Sequence, residues 1–551
     1  MKKIFFASIA FLYFSCSKSG SPAQNSSTFK VESYTINGEY KGNSYSNLKD
    51  FTLRFVFTGG AIDKTTVSPS VSLNTFAGVN IPIAFTYDND STLIVKTNTS
   101  LTPLTGYRFT ITTTLKSVQN ATLQDPAAIN LFTAVDSTDK FPQISDSALL
   151  TLVEQQTFKY FYDFGHPVSG LARERNSSAD VVTTGGSGFG LMALIVGVQR
   201  NFITRAQALS RIDTIVNFLT TKAQRYHGAF PHWMNGATGA TVPFSNNDNG
   251  ADLVETSYMM QGLLTARQFF NSSDPLEIAL RVSINNLWNG VEWNWFRQGG
   301  QNVLYWHWSP TLGFIINQPI NGWDEAMIVY ALAASSTIDS NRIPKIVYDN
   351  GWAMNGGIKN GKSFYGITLP LGPDYGGPLF FAHYSFLGIN PHSLTDSYAD
   401  YDLQTTNHSL INLNYCITNP QNFNGYSSAC WGLTASDDNN GYVAHSPTND
   451  DGVITPTAAI SSLPYTPTQS MDALHFFYYT LGDKTWGTYG FMDAFNLTNV
   501  WFAGSYLAID QGPEIIMIEN YRSGLLWNLF MSCPEIKTGM KSLGFQSPNL
   551  N

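Results

Sequence analysis

The spacing of apolar positions changes character part-way along the chain. Between residues 28 and 136 it has a period of two: Phe51-Thr52-Leu53-Arg54-Phe55-Val56-Phe57 alternates, as do Ser91-Thr92-Leu93-Ile94-Val95-Lys96 and Tyr107-Arg108-Phe109-Thr110-Ile111. Successive strand side chains point to opposite faces, so each run has one face to bury, and the turn residues between runs predict an Ig-like β-sandwich. A polar linker is expected over 137–146. From 147 to 551 the period becomes helical. Thr204-Arg205-Ala206-Gln207 reads as a capping box, after which Ala208, Ile212, Ile215, Val216 and Leu219 mark one helix face. Further helices are expected over 253–270, 325–335, 468–481 and 513–530, separated by long loops rich in Gly and aromatic residues. Strand signals are sparse there. Such a chain builds a helical toroid or a solenoid, and no fixed-period repeat favours the solenoid. Loops of this length in a compact domain are usually functional.

The first residues follow a different pattern. Lys2 and Lys3 precede an apolar run, Ile4 to Phe14, too short to span a bilayer, so residues 1–15 read as a secretory signal. The run ends Leu12-Tyr13-Phe14-Ser15-Cys16, which looks like a bacterial lipobox with Cys16 as the lipidated first residue of the mature chain. Residues 16–27, rich in Ser, Gly and Asn, then form a flexible tether, and the expected location is the periplasm, anchored by lipid to the outer membrane. The alternative is an ordinary cleaved signal with an incidental cysteine.

Composition narrows the function classes. A chain of 551 residues exceeds one core, and 43% hydrophobic against 13% charged residues excludes disorder. The formal charge of −9, with no basic run, argues against nucleic acid. Aromatic residues make up 14% of the chain and cluster in loops, which suits a neutral, hydroxyl-rich ligand such as a sugar. Cys416, Cys430 and Cys533 remain after Cys16; an oxidising compartment permits a Cys416–Cys430 disulfide without requiring one. No CxxC or HExxH pattern occurs, so no metal is expected. The acidic loops Asp437–Gly441 and Asn449–Gly452 lack EF-hand spacing and read as solvated turns.

Candidate chemistry lies in carboxylates near helix starts. Asp248, Asp252 and Glu255 stand at i, i+4 and i+7, on one face if the segment is helical. Few cations neighbour them, which favours a site over a solvated first turn stabilised by the helix dipole. Gly322-Trp323-Asp324-Glu325 opens the next helix, and neighbours about 100° apart leave only one acid facing a given pocket. Six of the 12 tryptophans (Trp288, Trp293, Trp295, Trp306, Trp308 and Trp323) fall between these points. They serve either as stacking surfaces for sugar rings or as core filling. In Asp510-Gln511-Gly512-Pro513, an acid ahead of a proline at a helix start suits capping as readily as catalysis. Glu519 and Arg522, one turn apart, read as a structural pair. The stretch Gly185-Gly186-Ser187-Gly188-Phe189-Gly190, with no strand expected before it, fits neither a dinucleotide fingerprint nor a nucleophile elbow.

Several ordered motifs together resemble the bacterial "glycoamylase" domain family, specifically the glycoside hydrolase family 144 β-1,2-glucanases of Bacteroidetes. They are Ser187-Gly188-Phe189-Gly190 with Arg205 after it, Asp252-Leu253-Val254-Glu255-Thr256-Ser257, Gly322-Trp323-Asp324-Glu325, Phe380-Phe381-Ala382-His383-Tyr384-Ser385, Cys430-Trp431-Gly432-Leu433-Thr434-Ala435-Ser436-Asp437, Pro456-Thr457-Ala458-Ala459, Tyr489 to Asn496 and Asp510 to Pro513. The resemblance implies a mainly α (α/α)6 barrel over 147–551, a loop-lined pocket at one end, no cofactor, and inverting hydrolysis of β-1,2-glucan to sophorose or short oligosaccharides. It implies Glu325 as general acid and Asp510 on the base side, with Asp248, Asp252 and Glu255 as acidic pocket positions. Trp306, Trp323, His383 and Tyr384 are expected to contact substrate. Inversion needs a protonated acid and a carboxylate about 6.5–9.5 Å apart with water between them. A helix N-terminus would hold Glu325 ionised, so burial beside Trp323 or repulsion from Asp324 has to outweigh it. A sandwich closing one end of the cleft would favour exo action. The alternatives are a non-catalytic sugar-binding lipoprotein, or the same barrel acting on another β-glucan linkage or by glycosyl transfer.

Overall fold

A computed structural model describes residues 28–551; the signal, Cys16 and the tether lie outside the described residues. The described chain divides between Thr133 and Ala134 into two compact units.

The first unit contains strands β1 (Lys30–Ile36), β2 (Ser44–Leu48), β3 (Thr52–Thr58), β4 (Val71–Thr75), β5 (Ile83–Asn89), β6 (Thr92–Thr97), β7 (Gly106–Ile111) and β8 (Ala127–Thr133). They form two four-stranded sheets, ordered β1-β3-β6-β5 and β2-β8-β7-β4. Every pairing is antiparallel except β2 with β8. The alternation in β3 has its expected effect: Leu53, Phe55 and Phe57 are buried while Arg54 faces water. Phe55 stacks on Phe109 of β7 with ring centroids 5.4 Å apart, so the two sheets share one core.

The second unit is built on helices α1 (Asp146–Tyr162), α2 (Thr184–Gln199), α3 (Arg205–Thr221), α4 (Leu253–Phe269), α5 (Pro275–Asn289), α6 (Met327–Ser335), α7 (Tyr401–Thr418), α8 (Pro456–Ser461), α9 (Pro467–His475), α10 (Ala508–Ser523), α11 (Leu525–Met531) and α12 (Pro534–Leu543), with shorter turns between. Among the described residues no helix is long and apolar enough to cross a membrane. The capping box at Thr204 and Gln207 forms, and α3 buries the expected face. Helix α6 is buried along its whole length and α2 from Thr184 to Gly197, as all-round apolar sequences require. Helix α2 packs against α1, α4 and α10, while α10 also touches α8. The 137–146 segment does not hang free, since the Lys140 amide donates to the Tyr479 carbonyl at 2.7 Å.

Helix α2 crosses α4 at glycines. A Cβ on Gly188 would stand 2.2 Å from the Tyr258 carbonyl oxygen, and one on Gly262 2.1 Å from that of Gly188. Overpacking so tight a crossing costs about 3 kcal/mol. Gly188→Ala is therefore expected to lower Tm markedly in thermal unfolding, and an unchanged Tm would show that the crossing can spread.

Several expected elements shift. The 513–530 helix is two: α10 begins at Ala508, runs through Pro513 with one internal hydrogen bond lost, and stops at Gly524 (φ +68°) before α11. The 468–481 helix ends at His475 and continues as a wider π turn, Phe476–Thr480. Helix α6 starts at Met327, two residues after Glu325. A short strand, Val181–Thr183, does precede the Gly-rich start of α2. Glu519 and Arg522 do not pair with each other: Arg200 binds Glu519 (2.6 Å) and Arg522 binds Glu154, in one buried group. Cys416, Cys430 and Cys533 are buried and free.

Candidate active site

A cleft of about 400 Å³ in the helical unit is lined by Glu174, Arg175, His232, Trp233, Phe244, Glu255, Tyr258, Trp306, Glu325, Phe380, Tyr384 and Tyr442 among others. Its floor is made where helices begin, so the same backbone ends that lack intrahelical partners also position the acids.

Glu325 sits in the turn ahead of α6. Its own carbonyl accepts hydrogen bonds from Ser385 Oγ (2.5 Å) and Tyr258 Oη (3.3 Å), and Ser385 Oγ also accepts from the Ile328 amide (3.0 Å). This fixes the backbone from which the side chain enters the cleft. Asp324 turns the other way and accepts from the Ala326 amide at 2.8 Å. Burial, then the charge of Asp324, holds the Glu325 carboxyl well above the usual range, so both effects required by the sequence outweigh the helix terminus. Asp324 itself is pushed up to about 7 by burial.

Asp248, Asp252 and Glu255 do converge, but not through helical spacing. Asp248 lies in a loop, Asp252 in a short strand (Ala251–Asp252) paired with His307–Trp308, and only Glu255 is in α4. Asp252 is the N-cap of α4, accepting from the Val254 and Glu255 amides. Its other oxygen receives His232 Nδ1 at 3.0 Å, with His307 Nε2 at 3.7 Å. Glu255 accepts from the Gly185 amide at the start of α2 (2.6 Å), so the Gly-rich stretch serves as an anion-holding helix N-terminus. Burial by itself would lower the His232 pKa, but Glu255, Asp252 and Asp248 raise it to about 9. Burial and the charge of Asp252 raise Asp248 to about 7. His232, Asp248 and Asp252 bring potential metal-ligand atoms within 4.8 Å of one another. The His232–Asp252 hydrogen bond accounts for the closest of these contacts.

Asp510 lies in the first turn of α10, and Pro513 is inside that helix, so capping does not explain the acid. It is 4% exposed and borders a small void with Phe380, His383, Tyr384, Thr434, Thr457 and Ser461. Its carboxyl contacts that of Asp493. Asp493 accepts from the Asp437 amide (2.7 Å), and Asp437 takes both oxygens to Arg175 Nη1 at 3.1 Å. Arg175 is bound on its other side by Glu174 at 3.0 Å. The strand-like pairing of Arg175 with Leu507 brings this chain of charges to the start of α10. Tyr384 borders both the cleft that Glu325 lines and the void beside Asp510.

Two expected substrate contacts are corrected. Trp323 is 3% exposed, packed against Trp352 and Phe386 with Nε1 at 3.4 Å from His408 Nδ1, because the apolar side of its loop turns into the core. His383 is likewise buried, bonded to Ser462 (3.0 Å), and burial lowers its pKa to about 3. Trp306 and Tyr384 do line the cleft. Of the remaining tryptophans, Trp288 and Trp293 fill the core, whereas Trp295 stacks on His227 at the surface. The 437–441 loop is not simply a solvated turn, since Asp437 joins the Arg175 network. Sequence reasoning missed Glu174, Arg175, His232, His307 and Tyr442, and gave no role to Asp437 and Asp493 although both lie in motifs that carry the resemblance. For Glu174 and Arg175 the available signal was Arg173-Glu174-Arg175, a cation cluster in a chain with few.

Known proteins similar to this chain identify its family. The Glycoamylase family model, described as "Putative glucoamylase", matches residues 317–534. An exo β-1,2-glucooligosaccharide sophorohydrolase (non-reducing end) of Parabacteroides distasonis is 44% identical over 422 residues, covering 73% of this chain and 58% of that protein. The chain thus spans under two thirds of that relative's length. The solved endo-β-1,2-glucanase of Chitinophaga pinensis, in complex with sophorotriose and glucose, is 52% identical with a TM-score of 0.72, covering 74% of this chain and all (100%) of its own. A β-1,2-glucanase of Parabacteroides distasonis is 36% identical with a TM-score of 0.71, covering 93% of this chain and 74% of its own. With relatives this similar over most of their length, the chain belongs to glycoside hydrolase family 144, the β-1,2-glucanases of Bacteroidetes.

Proposed function

We propose that this protein hydrolyses the β-1,2-glucosidic bond of linear β-1,2-glucan with inversion, releasing sophorose or short β-1,2-glucooligosaccharides. The observation that carries the reading is the pair of carboxyls on different elements, Glu325 in the aromatic cleft and Asp510 at the small void, with Tyr384 and Phe380 bordering both. Glu325, held protonated by burial, gives its proton to the leaving oxygen; Asp510 takes one from the attacking water. Trp233, Phe244, Trp306 and Tyr442 offer faces for sugar rings. Release of sophorose from a chain end is the proposed mode, on the strength of the sophorohydrolase relative.

In the same reading the helical unit is an (α/α)6 barrel. Its inner elements are α2, α4, α6, the 379–387 turns, α8 and α10, each beginning at the cleft end. The contacts of α2 with α4 and α10, of α4 with α6, and of α10 with α8 support this order, as does the His383–Ser462 bond. The β-unit is proposed to be Ig-like, in keeping with its two four-stranded sheets.

The test is chromatography of products from linear β-1,2-glucan, with β-1,3- and β-1,4-glucans as controls. A single disaccharide from the earliest time points is expected. A ladder of lengths would mean endo action, and no products from the β-1,2-glucan would reject the proposed substrate. Periplasmic location and a lipid anchor at Cys16 are proposed on the Lys2-Lys3 start and the Ser15-Cys16 junction. Cys16→Ser should move the protein from the membrane fraction to the soluble fraction, and unchanged membrane retention would reject the anchor.

A further inference from the structure

Asp510 presents a problem that the proposed mechanism does not solve. A base must be ionised, yet this carboxyl is buried against a second carboxyl. Two buried oxygens, Asp493 Oδ1 and Asp510 Oδ2, find no hydrogen-bond donor. The other Asp493 oxygen is occupied by the Asp437 amide at 2.7 Å. Two ionised carboxylates in contact in a closed space repel strongly, and each orphaned oxygen would be left with its desolvation uncompensated. One proton between them satisfies both oxygens at once.

We propose that Asp493 is a positioning residue for the base: it shares a single proton with Asp510 and, as a neutral acid donating to Asp510 Oδ2, keeps Asp510 anionic inside the protein. The inference rests on the reading of Asp510 as the base. In the reactive form the proton is on Asp493. When water attacks the anomeric carbon, the new C–O bond forms as the glycosidic C–O bond breaks. The leaving oxygen keeps the bond's electron pair and receives the Glu325 proton, while the water proton passes to Asp510. The pair is then doubly protonated and Glu325 ionised; the pair loses one proton to solvent and Glu325 takes one back, which resets the site. The groups facing the pair are Asp437, Arg175, Tyr384, Tyr442 and the neutral His383; Arg175 is the cation among them. Its charge is largely spent on Glu174 and Asp437, which leaves the pair to hold a proton of its own. Burial raises both acids, with the charge of Asp437 adding to it at Asp493 (to about 7) and the charge of Asp493 adding to it at Asp510, the direction that retaining one proton within the pair requires.

The test compares pH profiles of kcat/KM on linear β-1,2-glucan. Asp493→Ala removes the donor, so the acid limb should move alkaline by about one pH unit or more. Asp493→Asn retains a donor in its amide, so its acid limb should return toward that of the wild type. A role confined to folding would change amounts of active enzyme without moving the limb. A second reading needs no alanine variant. Between pH 5 and 7 the slope of unfolding stability against pH should show Asp493→Asn taking up about one proton fewer on folding than the wild type. Equal slopes, or an alanine variant with an unmoved acid limb, would overturn the shared proton. Asp510→Asn is run alongside: turnover persisting there would mean that the base assignment itself has failed, whatever the Asp493 variants do.

Discussion

Glu325→Gln is expected to lower kcat on linear β-1,2-glucan by about 10²–10⁴-fold, the range associated with loss of a general acid. The amide fits the same space and keeps the backbone pinned by Ser385 and Tyr258, since both contacts are to the residue 325 carbonyl. Glucan binding should therefore survive while proton donation does not. The pH behaviour separates this from a structural effect. Because Glu325 is raised well above its ordinary value, wild-type activity is present below its folded pKa and lost as pH rises through it. Stability follows the same sign: the buried neutral acid costs nothing at low pH, and its contribution falls as pH climbs from the unfolded value of about 4.3 toward the folded one. The glutamine variant lacks that loss, so its Tm should match the wild type near pH 4 and exceed it at alkaline pH. Normal turnover in a folded Glu325→Gln protein would sink the assignment.

Asp510 should give a loss of similar size by a different route. Asp510→Asn leaves an amide that can still hydrogen-bond Asp493, so the fold is expected to hold while kcat drops by about 10²–10⁴-fold. Asp510→Ala leaves room beside the void lined by Thr434, Thr457 and Ser461. A small anion such as azide needs no base to remove its proton. Added azide is therefore expected to restore turnover in Asp510→Ala, with a glycosyl azide of inverted configuration as product. The same salt should do nothing for Glu325→Gln, where the missing group is an acid. Rescue with retained configuration, or rescue of both variants alike, would contradict the roles given to the two carboxyls.

The two residues differed in how legible they were. At Glu325 helix geometry left a choice between two neighbouring acids and the family resemblance made it; its burial follows from the all-apolar helix behind it. Asp510 was ambiguous, since Asp near Pro is ordinary capping; only the observation that α10 begins before Asp510 removes that explanation. The acid triad was found for an incomplete reason. Helical spacing suggested one face, whereas Asp252 is a cap, Asp248 is on a loop, and the histidines that hold them come from 20 and 55 positions away, at His232 and His307. Trp323 and His383 belong to motifs of the family, but a motif marks what the fold needs as well as what the substrate touches, and both fill the core.

What the sequence determined by itself was everything governed by local period and local chemistry. That covers the strand alternation that buries Phe55, the capping box at Thr204, the apolar helices, and an acid-bearing, aromatic character suited to a sugar. What only the tertiary structure decided was which charges meet. Arg175, Asp437, Asp493 and Asp510 come from four separate segments, and no spacing rule links them. Their protonation depends on burial and on the field of neighbours brought together by folding, which a linear pattern does not encode.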